Sequence, residues 1–140
     1  MFASGIAGRN SKLHEFCMRQ LQRSADFGYL PALLLFGQLL SYRGATALNK
    51  QAGVNYLAKA SKQLDANAMF ILAEQLDKNP DVLLPSHEIA DLYQKSAKAG
   101  HIMAALRLSQ GYKVGKWGLS VDLKQAEYWS QQFHQHANQE

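Results

Sequence analysis

The residues able to do chemistry are few. The chain has one cysteine and five histidines. Cys17 with a distant histidine could form the nucleophile and base of a thiol hydrolase. Cys17, however, aligns with Gly53, Ile89 and Ala126, a small or apolar column of a recurring helix, so a packed, inert thiol is expected. His134 and His136 lie two apart. On a helix that spacing separates them by about 200°, so they cannot share a metal as an i, i+4 pair would. His14, His87 and His101 are isolated in sequence, His87 in the first turn of a helix and His101 at the hairpin junction following Gly100, so none is expected to hold a metal. Gly115-Lys116-Trp117-Gly118 reads as a hairpin turn, because no strand precedes it as a phosphate-cradling loop requires. No catalytic residue, metal site or cofactor is therefore expected. A hydrolase using Cys17 or a histidine would have to show an activity that Cys17→Ala abolishes.

The bulk composition asks for one helical domain. The chain has 140 residues, 47% of them hydrophobic and 19% charged, which suits a single globular core and not a disordered segment. It has only three prolines, and Ala and Leu far outnumber Val and Ile, a balance that favours helix over strand. A single cysteine excludes an internal disulfide. The net charge of +4 is scattered, without the basic stripe that nucleic acid would need. A solvated basic surface or a preference for an acidic partner both fit it. The N-terminus lacks the charged start and apolar run of a secretory signal, and the run from Leu30 to Gly37 is too short to span a membrane. A cytoplasmic location without membrane insertion is expected.

These elements recur with a step of 36 residues. Ala32, Ala68 and Ala104 share one column; Phe36, Leu72 and Leu108 share another; Gly37, Ala73 and Ser109 a third; Leu40, Leu76 and Tyr112 a fourth. Ala, a large residue four later, a small one next and another large one three later form one helical stripe. The small residues admit a neighbouring helix. This predicts A helices over 29–42, 66–77 and 101–113. Breakers follow each: Arg43-Gly44, Asn79-Pro80, and Gly115 with Gly118. B helices are expected over 49–63, 86–99 and 122–136, with Asn49, Ser86 and Asp122 as N-caps. Residues 10–26 match a B helix without an A helix before it.

The unit from His101 to Trp129 carries Ala104-x-x-x-Leu108-Ser109-x-x-Tyr112-x-x-Gly115 and then Asp122-x-x-x-Ala126-x-x-Trp129. This resembles the Sel1-like repeat pattern of the tetratricopeptide superfamily. The pattern is strongest in that unit and weakest over 64–100. Ala73 and Ser109 stand where glycine is usual, Leu40 and Leu76 where tyrosine is, and Asn79-Pro80 replaces a glycine turn. The resemblance implies an all-α fold, an α-α superhelix of antiparallel helical hairpins with about three and a half repeats. One domain spans 1–140, with a half repeat at 10–27 and repeats at about 28–63, 64–99 and 100–136. It also implies a non-catalytic adaptor or scaffold, of a kind common in bacterial signalling, secretion and envelope processes. The alternative is an immunity or inhibitor protein that neutralises a toxin or effector enzyme, which would bind tightly at fixed ratio and abolish an activity.

In such a stack the A helices line the concave surface. At about 100° per residue the core stripe of the first A helix centres opposite Pro31, Leu34, Gln38 and Ser41. One step on come Asn67, Phe70, Glu74 and Asp77; two steps on come Met103, Leu106, Gln110 and Lys113. The expected partner-binding face thus has an apolar row, Leu34–Phe70–Leu106, beside a polar row, Gln38–Glu74–Gln110. Seating two or three partner side chains there would contribute about 1.5–3 kcal/mol each, and ordering costs would leave an affinity near micromolar. The row could instead pack on neighbouring helices, lie under the C-terminal tail, or form a weak homodimer surface on an otherwise monomeric chain. Trp117 in the last turn could anchor a partner or serve as a lid. Tyr56, Tyr93, Tyr128 and Trp129 are expected to pack between hairpins. At the N-terminus, either residues 1–9 fold back over the first helix or the end docks on a second copy.

Overall fold

The structure is a computed structural model that describes residues 4–43, 46–80 and 87–137. Its described residues form seven helices: α1 (Ser4–Asp26), α2 (Leu30–Arg43), α3 (Ala47–Ser61), α4 (Ala66–Lys78), α5 (His87–Lys98), α6 (Ile102–Val114) and α7 (Leu123–Ala137). They contain no strand. Each helix packs on the next in chain order, α2 also touches α4, and the result is an all-α solenoid of helical hairpins.

Within each hairpin the small-residue column does the work expected of it. In α2 and α3, Gly37 and Gly53 face each other so closely that a Cβ on Gly53 would lie 2.5 Å from Ser41 Oγ and 2.7 Å from the Gly37 carbonyl. In α6 and α7 the same column holds Ser109, whose Oγ donates to the Ala126 carbonyl at 2.8 Å. Around these contacts the core is built from Leu57, Leu72, Leu76, Ile89, Tyr93, Leu108 and Trp129. A second cluster at the α1 end contains Ala25, Ala32, Leu33, Phe36, Ala60 and Ala68.

Turns between hairpins repeat too. Gly28 and Gly100 lie 72 residues apart and both adopt left-handed backbone, with φ of 88° and 101°. In each case the next residue's N–H reaches back to a carbonyl five residues earlier: Tyr29 to Ser24, and His101 to Ser96. The middle position of this column is Leu64, which takes φ of 60° without glycine's freedom. Within the hairpins, Ser96 Oγ of α5 donates to the Ala66 carbonyl at the start of α4 at 2.6 Å, and Gln63 Nε2 after α3 donates to the Gly28 carbonyl before α2 at 2.9 Å.

Several expectations need correction. The cap of α3 is Thr46, whose side chain accepts from the Asn49 N–H at 3.1 Å, so Asn49 supplies the amide and not the cap. Asp122 does cap α7, accepting from the N–H groups of Lys124 and Gln125. Ser86 lies outside the described residues. Residues 4–9 do not fold back over the first helix; they continue α1 without a break. Tyr93 and Trp129 are buried and Tyr56 is half-buried against Phe36, but Tyr128 is half-exposed beside Trp129. Cys17 is exposed and not packed. Its counterparts in the other B helices, Gly53, Ile89 and Ala126, are all buried.

Candidate partner-binding face

The face is carried by α2, α4 and α6, whose stripes of Ala32–Phe36, Ala68–Leu72 and Ala104–Leu108 turn inward and set the remaining side chains outward. Leu34 is half-buried and packs against both core clusters. Phe70 is half-buried as well. Its ring stacks on His101 at 4.2 Å between centroids and meets Tyr93 edge-on at 5.9 Å. Leu106 is half-buried outside both clusters. The apolar row is therefore partly structural. Asn67, Met103 and Gln110 are exposed and form the outermost line of the face. Ser41 is buried, because Gly53 lets α3 close over it.

Gln38 donates from Nε2 to the Leu34 carbonyl at 3.2 Å. It also borders a cleft of about 210 Å³ between α2 and α4, lined by Gln38, Phe70, Ile71, Glu74, Gln75 and Lys78. The floor of this cleft is polar and firmly tied. Glu74 Oε1 accepts from the Tyr93 hydroxyl at 2.8 Å and from Arg107 Nε at 2.7 Å, and Lys78 Nζ lies 3.9 Å from Oε2. Burial alone pushes the Glu74 carboxyl up, but the bonds from Arg107 and Tyr93 and the nearby positive charges outweigh it and hold the carboxyl below its usual range. Burial, followed by the bond to Glu74, pushes the Tyr93 phenol up. Burial pushes His101 down, against the pull of Asp65 and Glu74. Glu74 is thus a fixed anion, 15% exposed, joined to α5 and α6.

Arg107 was not among the expected residues. A helical wheel treats one helix at a time, whereas this pair joins α4 to α6 across 33 positions. The repeat step of 36 less one helical turn lands on that separation, so an acidic residue in one A helix and a basic residue 33 positions later is the readable signal.

Trp117 also sits differently from an exposed loop aromatic. Gly111 lacks a Cβ, which would lie 2.5 Å from the indole, and the ring enters that space. Its centroid is 4.8 Å from that of Tyr93, and Nε1 donates to Asp77 Oδ1 at 2.9 Å. Trp117 therefore ties the α6–α7 turn to α4 and leaves Lys113 exposed nearby on α6.

A stack of hairpins with a small-residue seam, whose A helices set an apolar and polar ridge outward, defines an α-solenoid of helical hairpins. More narrowly, the chain has the Sel1-like repeat fold. It is similar to a Sel1 repeat protein from Oxalobacter formigenes with a TM-score of 0.73 and 20% identity, over 84% of this chain and 89% of the other. It is equally similar, with a TM-score of 0.73 and 20% identity, to a protective antigen of uropathogenic Escherichia coli strains that displays an SLR fold; that match covers 85% of this chain and 25% of the antigen. No family model matches the sequence. No curated relative matches it either.

Proposed function

We infer that the chain is a non-catalytic protein–protein interaction module, an adaptor or scaffold that holds a peptide or protein on the face of α2, α4 and α6. The observation that carries this reading is the cleft beside Phe70 with its fixed Glu74 anion, opening onto the exposed line of Asn67, Met103 and Gln110. An occupant would lay apolar side chains along Leu106 and Met103 and set a donor against Glu74, Gln38 or Gln110. Charge on Glu74 is already balanced by Arg107, so the face selects by shape and hydrogen bonding more than by net charge. Trp117 supports it from behind through Asp77. The Sel1-like repeat fold typically serves as an interaction module, and no described helix is long and apolar enough to cross a membrane.

The test uses exposed positions. Phe70→Glu is a poor probe, because it puts a charge between Tyr93 and His101 and endangers the fold. Met103→Glu with Asn67→Lys alters the ridge alone. A partner captured by wild type and lost by this folded double variant supports the reading. Equal capture by both overturns the placement of the site.

A further inference from the structure

A second surface without a partner among the described residues is on α1. Step by 36 and Leu13 and Phe16 fall in columns that α3 fills with Asn49 and Ala52; in the last unit, whose turn is one residue longer, the same columns hold Asp122, the cap of α7, and Gln125. The repeat does not call for large apolar residues there, yet α1 has two, 62% and 52% exposed. Cys17 beside them is exposed as well. Its column elsewhere is covered by the A helix of the same hairpin: Gly53 lies against Gly37 and Ser41 of α2, Ile89 in the cluster with Ala73 and Leu76 of α4, and Ala126 against Ser109 of α6. The opposite side of α1 is occupied, since Met18, Leu21 and Ala25 pack into the cluster with α2. Among the described residues nothing covers the Leu13–Phe16 side.

Charge defines the edge of this side. At about 100° per residue, Phe16, Gln20 and Leu13 fall within about 60° of one another, and Arg19, Lys12 and Arg23 lie within about 40° along the adjoining edge. All three cations are exposed and make no ion pair among the described residues, with Glu15 beyond them. An isologous pairing with a second copy would bring like charges together. An acidic helix would not.

We propose that α1 docks an amphipathic helix of another protein, which sits on α1 as an A helix sits on the B helix of each other hairpin: its stripe of small and large apolar residues covers Leu13, Phe16 and Cys17, and its acidic edge meets Lys12, Arg19 and Arg23. The site extends the reading of the chain as an interaction module but lies apart from the α2–α4–α6 face. Met103→Glu leaves it intact, so the two readings fail separately.

Cys17 reports occupancy directly. The probe is a synthetic helical peptide with the stripe of α4, the types of Ala68, Leu72, Ala73 and Leu76, and glutamates along one edge; its control has lysines at those positions. Saturating glutamate peptide is expected to slow alkylation of Cys17 at least ten-fold, and the lysine peptide is not. Leu13→Glu or Phe16→Glu, both at exposed positions, removes the protection while helicity is kept. Lys12→Glu with Arg19→Glu reverses the preference between the peptides, and this surface pair keeps the test valid if an apolar variant unfolds. Equal protection by both peptides, or none by either, overturns the proposal. So does protection without peptide that grows with protein concentration, which assigns the face to a second copy, or equal protection by anionic lipid vesicles.

Discussion

Gly53→Ala places a methyl group where α2 and α3 nearly touch. In an isolated helix the change would stabilise by about 1 kcal/mol, because alanine is the better helix former. Here the new Cβ would meet Ser41 Oγ at 2.5 Å, the Gly37 carbonyl at 2.7 Å and the Ser41 amide nitrogen at 2.7 Å. Two of these three atoms are backbone, so no rotamer change clears them and the helices must part. Overpacking of this kind costs about 1–3 kcal/mol, and separating two helices lies at the upper end, which leaves a net loss of about 1–2 kcal/mol after the propensity gain. In a domain of this size that lowers Tm by about 3–8 °C. Adding Ser41→Ala removes the nearest atom, which is also a buried hydroxyl without a hydrogen-bond partner, so the double variant should recover part of the loss but not all of it. Thermal and urea unfolding followed by far-UV circular dichroism checks all three proteins. A Gly53→Ala protein more stable than wild type would refute the close approach and the small-residue seam with it.

Leu64→Gly should raise stability by about 0.5–1 kcal/mol, because it relieves a left-handed backbone and the lost side chain is 73% exposed; urea unfolding measures it, and a clear loss would contradict the turn geometry. Glu74 has a depressed folded pKa, so its contribution is complete above the usual Glu value of about 4.3 and disappears as pH falls through the folded value. The stability of Glu74→Gln should therefore be about 1 kcal/mol lower at pH 7 and should fall less steeply below pH about 4.3 than that of wild type, as read from urea midpoints. His101, also depressed, steepens the same acid loss below about 6.5 in both proteins. Asp77→Asn should loosen the Trp117 turn with little effect on the rest, seen as a shift in indole fluorescence and a cost of about 1 kcal/mol or less.

Much of the fold was legible because the stripe and the seam are local patterns repeated at a fixed step. Ala32, Ala68 and Ala104 are all buried, as are Gly37, Ala73 and Ser109, in the columns read from the sequence. The site was harder to read, because exposure depends on what a neighbouring helix does. Ser41 points away from its own helix's stripe and is still buried, since Gly53 on α3 admits it. Phe70 lies on the outward face and is still drawn in by Tyr93 of α5 and by His101, the residue that caps α6. Trp117 found a slot that only the absence of a Cβ at Gly111 creates. Cys17 shows the converse: its column predicts burial, but the covering helix is not among the described residues.

The central claim is that the α2–α4–α6 face holds the partner. Site-specific photo-crosslinking measures this directly, with a photoreactive side chain placed in turn at Met103 and Gln110 on that face and at Asp91 and Glu127, exposed positions on α5 and α7. The account predicts an adduct to one protein from Met103 and Gln110, suppressed by Asn67→Lys, and none from Asp91 or Glu127. Adducts from Asp91 or Glu127 with none from Met103 and Gln110 would contradict it.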